Sequence, residues 1–460
     1  MMKLNDELFS RGVVTFIDPD NSFQKKVEGK ISGEYKKDII IKLGCDPTRP
    51  DMHIGHAVIL RKLRAFQDIG CKVVFIVGDY TTQIGDPTGK SKVRPEIGQK
   101  EIEANMKTYV EQCGKILNTD PAVFSWIRNS DWFTNITDIT AGEGTTVTIN
   151  DQNNQNHITV DANSFVGKTA IFEETRMQKT HLHTNNINTV SLSRFLATLR
   201  RVTHSRLIER DMFQERLKKG EELYMHEMMY PVLQGIDSSV IANIYGSCDL
   251  EIGGNDQTFN ILMGRDVMKM NNQEEQSVMI IELLEGIDGK EKMSKSLDNY
   301  IGITDESNDM YGKVMSIPDS LIVKYFSLAT YTPLSEVEEI KNSLEDQTTN
   351  PKDLKMRLAR EIVAIYHGDK LAGEAEQNFI DTFSKGKIPE NVPEFSVDEN
   401  ANIIDAIMQS GCASSKTDAR RLVENGAVTF LDEDEKITDF GHQVLKGTYR
   451  VGKHRFFKIV

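Results

Sequence analysis

The chain has 460 residues, with 69 acidic and 55 basic side chains and a formal net charge of −14. This length predicts two to four domains. The acidic balance excludes a surface that is basic throughout, although a local patch of Lys and Arg can still contact nucleic-acid phosphates. The longest apolar runs hold about five residues, far fewer than the roughly 20 that span a bilayer, so we expect no membrane partner.

Cysteine usage and the N-terminus indicate a cytoplasmic protein. Five cysteines, at positions 45, 71, 113, 248 and 412, form no CxxC pair and no histidine-flanked cluster. This pattern argues against a zinc site or a disulfide framework, and we expect no protein-bound metal or prosthetic group. The N-terminal stretch MMKLNDELFSRG mixes both charges and lacks the apolar centre of a signal peptide.

The first elements along the chain form a predicted βαβ unit. Residues 38–44 and 72–79 are Val- and Ile-rich runs of strand length, typical of buried parallel strands. Between them, apolar residues recur at helical spacing, at Ile59, Leu63 and Phe66. Such a unit predicts a doubly wound parallel sheet with ligands at the carboxyl ends of its strands. A second helix is predicted over 101–117.

Residues 134–189 differ in composition from their surroundings and are predicted to be an inserted, β-rich segment. They hold twelve Thr and nine Asn but no Pro, Tyr or Trp. TTVTIND, QNHITVDA and the run after Lys168 are typical of strands, separated by the turn-rich DQNNQN. With three basic and six acidic residues, the segment is not expected to grip RNA. His181 and His183 would share one face of a strand, a pairing that only rarely binds metal.

The last third of the chain predicts two further domains joined by a linker. Residues 316–385 have helical periodicity, and residues 386–400 carry two prolines and mixed charge without any period. Residues 401–460 have a net charge of only +1, but of +5 when the acidic loop 432–435 is left out. That excess fits either a contact with phosphates or an ordinary solvated surface.

Two short segments carry recognisable chemistry. His53-Ile54-Gly55-His56 places two histidines at i, i+3 where a loop enters the predicted helix, and a helix N-terminus favours anions. Lys292-Met293-Ser294-Lys295-Ser296 puts two ammonium groups on a Gly-flanked loop, where they can close on a departing phosphate. Taken singly, the first segment could be a pair of helix-capping histidines and the second a solvated loop.

In this order, and about 240 residues apart, the two segments resemble the paired nucleotide-handling motifs of class I aminoacyl-tRNA synthetases. The bacterial tyrosyl-tRNA synthetases are resembled in particular, over roughly 35–132, 190–330 and 400–460. The stretches that carry this resemblance are GCDPTRPDMHIGH, IGDPTGKSKVRP, YPVLQGID, EIGGNDQTFN and LLEGIDGKEKMSKSLDNYIGI.

The resemblance implies a Rossmann-like α/β catalytic domain over 1–315, interrupted by the insertion 134–189. A helical anticodon-side domain over 316–385 and a small α+β RNA-binding domain over 401–460 would follow. The implied reaction activates L-tyrosine with ATP and Mg²⁺ to tyrosyl-adenylate and pyrophosphate, then transfers tyrosine to the 3'-terminal adenosine of tRNA(Tyr). A homodimer is also implied.

Activation needs no general base, because the attacking carboxylate is already ionised at neutral pH; the site must supply orientation and stabilise charge on the phosphates. The phosphate-side residues that the resemblance implies are Thr48, His53, His56, Lys90, Arg94, Lys292 and Lys295. Those around the adenosine are Gly55, His56, Gly253, Asp256, Met293 and Lys295, with Asp256 on the ribose. The phosphate contacts expected from the C-terminal domain to tRNA are Lys416, Arg420, Arg421 and Arg455.

The resemblance also implies the residues that select tyrosine. Around the ammonium group it implies Asp86, Tyr230 and Gln234, and Gln257 belongs to the same pocket. Asp237 would accept a hydrogen bond from the phenolic hydroxyl, and a buried carboxylate at the ring tip is satisfied by tyrosine and left unpaired by phenylalanine.

Two positions depart from the best-known branch of the family. Lys42 stands where a tyrosine often contacts the substrate hydroxyl, and Glu251 stands where a glutamine often lines the pocket. These departures indicate a second subgroup and leave open the second partner of the phenol. The alternatives are a tryptophanyl relative, against which Asp237 argues, and a silent RNA-binding paralogue, against which the intact motifs argue.

Overall fold

The computed structural model describes residues 3–87, 97–133, 138–140, 146–151, 156–161, 169–171, 190, 192–208, 211–383, 392–397, 401–413, 415–433, 435–452 and 455–460. The chain divides into two compact units, residues 1–368 and 369–460. None of the helices formed by the described residues combines the length and apolar character that a membrane crossing needs.

The first unit holds most of the helices. They are α1 (Lys3–Ser10), α2 (Ser22–Ser32), α3 (Ile54–Asp68), α4 (Asp79–Ile84), α5 (Gln99–Cys113), α6 (Ser130–Phe133), α7 (Leu192–Leu199), α8 (His204–Ile208), α9 (Asp211–Lys219), α10 (Met225–Tyr245), α11 (Thr258–Met270), α12 (Ser307–Met315), α13 (Ile322–Ala329) and α14 (Leu334–Glu345). Helix α15 (Pro351–Phe383) contains one non-helical residue, Gly368, at the boundary between the two units.

A six-stranded sheet forms the centre of the first unit. Its strands are β1 (Val13–Ile17), β2 (Ile40–Cys45), β3 (Lys72–Val77), β4 (Phe124–Arg128), β9 (Leu250–Gly254) and β10 (Ser277–Ile281), in the order β1-β10-β9-β2-β3-β4. Strand β1 pairs antiparallel with β10, and the other neighbours are parallel. This confirms the predicted doubly wound sheet. The strand order reverses beside β2, where such sheets bind ligands.

The predicted βαβ unit is observed as β2, α3 and β3. Both strands are buried along almost their whole length, and Leu63 and Phe66 of α3 are buried against the sheet. The second predicted helix is α5, which buries Ile102, Tyr109 and Cys113. Periodicity located these elements correctly because each one buries the stripe that its sequence repeats.

Helices α10 and α11 cover one side of the sheet and bring residues distant in sequence to its strands. The core between them contains Val232 and Ile236 of α10, Met263 and Val267 of α11, and Ile40 of β2. Helix α10 runs for 21 residues and carries three of the predicted substrate contacts, Tyr230, Gln234 and Asp237.

The insertion is β-rich in the part that is described. Strands β6 (Thr146–Asp151) and β7 (Asn156–Asp161) pair antiparallel, as do β5 (Asp138–Thr140) and β8 (Thr169–Ile171). The strands predicted from TTVTIND and QNHITVDA are therefore confirmed. His181 and His183 lie outside the described residues.

The second unit contains a small sheet and two helices, α16 (Ile403–Gln409) and α17 (Lys416–Glu424). Its strands are β11 (Glu394–Phe395), β12 (Val428–Phe430), β13 (Glu435–Ile437), β14 (Gly447–Val451) and β15 (Arg455–Ile459), in the order β11-β15-β14-β12-β13. Strand β14 ends at Val451, and β15 begins at Arg455. The left-handed Gly452 (φ 68°) follows β14 and ends it.

Candidate active site

One cavity of about 810 Å³ lies at the carboxyl ends of the parallel strands, lined by Cys45 of β2, Gly253 of β9 and the segments that follow them. Most of the residues singled out in the sequence line it. They are Thr48, His53, Gly55, His56, Asp86, Tyr230, Gln234, Asp237, Glu251, Gly253, Asp256, Gln257, Lys292, Met293 and Lys295. Lys90 and Arg94 lie outside the described residues.

The two histidines form the first turn of α3 beside the cavity. His53 is the N-cap residue and His56 the third helical residue, with ring centroids 3.8 Å apart. The backbone N–H of His53 donates to Nδ1 of His56 at 3.3 Å, so a neutral His56 ring carries its proton on Nε2. Burial lowers the pKa of both rings, that of His56 to about 3, and Lys295 and Lys292 add to the effect. At neutral pH both rings are therefore uncharged, and Nε2 of His56 can donate to an anion.

The two lysines of the second motif extend towards the same cavity from a loop. Nζ of Lys292 lies 2.6 Å from Oδ2 of Asp256. Nζ of Lys295 donates to the backbone carbonyl of Arg49 at 3.4 Å and lies 5.5 Å from the ring centroid of Tyr109. Burial lowers the pKa of Lys295 to about 8, so its side chain is still mostly charged at pH 7. Both ammonium groups therefore have protein partners that a phosphate could replace.

A second part of the cavity suits a primary ammonium group. Asp86 is buried and accepts a hydrogen bond from Nε2 of Gln257 at 2.8 Å. Nδ2 of Asn260 donates to Oε1 of Gln257 at 2.9 Å, which fixes the amide. The Tyr230 hydroxyl donates to Oδ2 of Asp46 at 2.8 Å. An ammonium group has three hydrogens to donate, and these carboxylate and phenol oxygens are suitable acceptors.

Asp237 lines the cavity from α10 and is almost completely buried. Its Oδ1 accepts a hydrogen bond from Nε1 of Trp132 at 2.9 Å. Burial raises the pKa of this carboxyl to about 7, although Lys42 and the hydrogen bonds from Trp132 and Asn129 lower it. A carboxylate has about four acceptor positions, so Asp237 can accept a further hydrogen bond from a ligand.

The structure explains the two departures from the best-known branch by pairing them. Nζ of Lys42 lies 3.0 Å from Oε1 of Glu251, and the two residues are register partners on the neighbouring strands β2 and β9. The same ammonium donates to the backbone carbonyl of Gln234 at 3.1 Å and to Oγ of Ser238 at 2.8 Å. Lys42 is fully buried and is not among the residues that line the cavity.

The remaining predicted nucleotide residues lie around the helix start and the end of β9. A Cβ atom on Gly253 would lie 2.6 Å from Cδ1 of Ile261, and one on Gly55 would lie 2.9 Å from Nδ1 of His53. A side chain at either position would have to displace its neighbour, and glycine leaves bare backbone at the cavity wall. The backbone N–H of Thr48 donates to the carbonyl of Asp46 at 2.8 Å.

Sequence reasoning missed four residues of this site. Asp46 also accepts from Oγ1 of Thr81 at 2.8 Å and lies in GCDPTRPDMHIGH, so its motif contained the signal. Asn129 and Trp132 directly follow β4, and polar residues after a buried parallel strand are the signal that could have found them. Tyr109 lines the cavity from α5, and its sequence context carries no signal that separates it from an ordinary buried residue of that helix.

The four basic residues predicted for the C-terminal domain are all exposed, and three of them have protein partners. Lys416 pairs with Asp405 at 3.2 Å and Arg421 pairs with Asp418 at 2.7 Å. The guanidinium of Arg455 donates to the backbone carbonyl of Cys412. Exposed ion pairs such as these two exchange readily for other anions.

Two family models match the chain. The model "tRNA synthetases class I (W and Y)" matches residues 34–151 and 133–384, and the model "Tyrosine--tRNA ligase SYY-like C-terminal domain" matches residues 384–457. The fold and the paired motifs of the cavity thus define a class I aminoacyl-tRNA synthetase.

Similar proteins show which family within this class the chain belongs to. A tyrosine–tRNA ligase of Thermotoga maritima is 37% identical over 460 residues, which cover 98% of this chain and 96% of the relative. One of Carboxydothermus hydrogenoformans is 36% identical and covers 100% and 98%. In fold, a C-terminally truncated mitochondrial tyrosyl-tRNA synthetase of Aspergillus nidulans has a TM-score of 0.56 at 19% identity, covering 83% of this chain and 95% of that one. The chain belongs to the tyrosyl-tRNA synthetase family, and its function is the ATP-dependent joining of tyrosine to tRNA.

Proposed function

We propose that the cavity forms tyrosyl-adenylate, with tyrosine bound at one end and the phosphates of ATP at the other. The observation that carries this proposal is the shared lining. His53, His56, Lys292 and Lys295 face the same space as Asp86, Tyr230, Gln234 and Asp237. A single cavity with cationic and neutral donors at one end and buried carboxylates at the other suits an amino acid and a nucleotide held side by side.

At the tyrosine end, Asp86 accepts the substrate's ammonium group, with Tyr230 and Gln234 beside it and Gln257 holding Asp86 in place. Asp237 accepts the hydrogen bond of the phenolic hydroxyl. Phenylalanine would leave this buried carboxylate without that partner, so it binds less well. Glu251 lines the same pocket and holds Gln234 by accepting a hydrogen bond from its Nε2 at 3.2 Å.

At the nucleotide end, the tyrosine carboxylate attacks the α-phosphorus, and the bond to the β-phosphate breaks to release pyrophosphate. Nε2 of His56 donates to the phosphates and, before the reaction, to the adenosine, while His53 and Thr48 contact the triphosphate from the start of α3. Lys292 and Lys295 leave their protein partners and follow the negative charge onto pyrophosphate.

The ribose takes the place of Lys292 on Asp256, and the base lies along Gly253, Gly55 and Met293. Lys90 and Arg94 add positive charge near the phosphates. ATP enters as its Mg²⁺ complex, in which the metal is part of the substrate.

Tyrosine-dependent exchange of radiolabelled pyrophosphate into ATP tests this proposal. We expect exchange with tyrosine and at most weak exchange with tryptophan or phenylalanine. Exchange supported by tryptophan and not by tyrosine would overturn the assignment of Asp237, and an absence of exchange in folded protein would overturn the assignment of the cavity.

For the second half-reaction, we propose that residues 401–460 bind tRNA(Tyr) through phosphate contacts of Lys416, Arg420, Arg421 and Arg455. Deletion of residues 400–460 should leave pyrophosphate exchange intact and reduce aminoacylation. The matched control is the full chain with all four residues changed to Ala, which keeps the domain and removes the proposed phosphate contacts. Loss of exchange along with aminoacylation would mean that the domain is structural.

We further propose that the protein is a homodimer and that it works in the cytoplasm, where tRNA is charged. We place the limits between its domains at about residues 315, 385 and 400. The acidic balance of residues 134–189 supports a packing or surface role for the insertion rather than a grip on tRNA. Replacing it by a short Gly/Ser bridge should preserve tyrosine activation, and sedimentation of the shortened protein tells whether the insertion holds the dimer together.

A further inference from the structure

The Lys42–Glu251 pair is a built charge network that no step of the proposed reaction uses. The ammonium of Lys42 has three hydrogens, and its three acceptors are Glu251, Gln234 and Ser238. None is left for a substrate hydroxyl. Lys42 is therefore not the second partner of the phenol.

Glu251 is held as completely as its partner. Oε1 accepts from Lys42 at 3.0 Å and from Gln234 at 3.2 Å. Oε2 accepts from Oγ of Ser238 at 3.0 Å and from Nε2 of Gln276. The side chains of Lys42 and Glu251 are 0% and 2% exposed, and a buried ion pair persists only with this kind of saturation by hydrogen bonds.

The network joins two strands to the helix that carries the selecting residues. Lys42 is on β2, Glu251 on the adjacent β9, and both bind two successive turns of α10, at Gln234 and Ser238. Asp237 lies between these two residues in the sequence of α10. A Cβ atom on Gly264 of α11 would lie within 2.9 Å of Oε2 of Glu251, so α11 closes the network and no side chain can enter.

We propose that Lys42 and Glu251 are a positioning pair for tyrosine selection, which holds α10, and with it Asp237, against strands β2 and β9. This inference rests on the proposed contact between Asp237 and the phenol. It makes the pair specificity-determining: Lys42 favours the ionised, hydrogen-bond-accepting form of Asp237, and Glu251 opposes it.

The polar and charged groups that face Asp237 come from three elements besides its own helix. Lys42 extends from β2, Glu251 extends from β9, and Asn129 and Trp132 donate from the segment after β4. Only Lys42 and Glu251 carry charge, and they act in opposite directions. Removing one charge at a time should therefore move the titration of Asp237 in opposite directions.

The measured quantity is the kcat/KM for tyrosine divided by the kcat/KM for phenylalanine, both in pyrophosphate exchange and over a range of pH. The phenylalanine must contain no contaminating tyrosine. Both substrates share the ammonium and carboxylate groups, so the ratio cancels every group at that end and reports on the ring tip alone. In the wild type we expect the ratio to fall as pH drops through about 7, because protonated Asp237 is a weaker acceptor.

K42M should move this fall to higher pH by about one unit, and so lower the ratio about fivefold at pH 7. E251Q should move it to lower pH. The double variant K42M/E251Q should return the fall towards its wild-type position, because both charges are gone. A direct ligand role for Lys42 would instead lower tyrosine activity without moving the fall, and would leave the double variant worse than K42M.

The matched control is R216M. Arg216 of α9 and Glu227 of α10 form another buried ion pair, at 2.7 Å with side chains 4% and 3% exposed. Its loss should lower stability to urea and leave the position of the fall unchanged. If K42M and E251Q both fail to fold, S238A takes their place, because it removes an uncharged hydrogen-bond partner of both Lys42 and Glu251. A smaller shift in the pH at which the ratio falls is then expected.

The proposal is overturned if the ratio falls at the wild-type pH in every folded variant of the pair. It is also overturned if R216M shifts the pH of this fall as much as those variants do. D237N separates this failure from that of the proposed function. If D237N retains the wild-type ratio, Asp237 is not at the phenol and the proposed contact fails. If D237N removes the preference for tyrosine over phenylalanine while K42M behaves as wild type, only the positioning role of the pair is wrong.

Discussion

The two ends of the cavity are built differently. At the phosphate end, Lys292 and Lys295 extend from a loop, and each holds a partner that it can exchange: Asp256 for one, a backbone carbonyl for the other. The side chain of Lys292 is 40% exposed. At the tyrosine end, Asp237 and Glu251 are both buried and hydrogen-bonded from several elements.

The difference follows from what each end must do. Charge on the phosphates moves during the reaction, so the groups that stabilise it must be able to follow. Tyrosine selection depends on a fixed geometry, in which a missing hydroxyl leaves a buried acceptor unpaired. Residues at the phosphate end should therefore affect mainly the rate, and residues at the tyrosine end should affect mainly the discrimination between substrates.

The largest effect is expected from Lys295→Ala. Loss of one donor to the developing phosphate charge should slow adenylate formation by about 10² to 10³, with tyrosine affinity almost unchanged. Stopped-flow measurement of adenylate formation, together with equilibrium binding of tyrosine, checks both halves. A large loss of tyrosine affinity with normal chemistry would reverse the assignment of the two ends.

His56 should behave as a neutral donor. His56→Ala should lower the rate of adenylate formation by about 10², and His56→Gln, which keeps an N–H near the Nε2 position, by much less. The pH profile at saturating tyrosine should keep its shape in His56→Gln, because the pKa of His56 is lowered to about 3 and the ring does not titrate near neutrality. A limb near pH 6.5 that disappears in His56→Gln would show instead that the charged ring acts.

Asp237→Ala should reduce the preference for tyrosine over phenylalanine by about 10- to 100-fold, the contribution of one hydrogen bond to a charged group. The rate of adenylate formation at saturating tyrosine should change much less. Parallel kcat/KM measurements with the two amino acids give the result. Unchanged discrimination would place the phenol elsewhere.

The smallest effect is expected on ATP binding in Lys292→Met. The Lys292–Asp256 pair is partly exposed, and such pairs contribute little. The KM for ATP should therefore change by less than about fivefold, while kcat falls, since the ammonium is needed on the departing pyrophosphate. The control is Lys290→Met on the same loop, which should change neither constant. A rise of about 10² in the KM for ATP would make Lys292 a ground-state ligand and weaken the contrast between the two ends.

Much of this protein can be predicted from the sequence alone. The strands β2 and β3 and the helix between them follow from apolar periodicity, because an element that buries one stripe must repeat it. Each of the two motifs is short and contiguous, so the phosphate-side residues within one motif are neighbours in the chain as well as in space. Strands β6 and β7 were likewise predicted from their Thr-, Val- and Ile-rich composition and the turn-rich stretch between them.

Only the tertiary structure decided how the tyrosine end is held. Lys42 and Glu251 are more than 200 residues apart in the sequence and become partners because β2 and β9 are neighbours in the sheet. Asp46, Asn129 and Trp132 reach the site for the same reason: parallel strands bring the residues at their carboxyl ends together in an order that is not the order of the chain. Local pattern records which face an element buries, but a buried charge is stabilised by partners that folding alone brings within hydrogen-bonding distance.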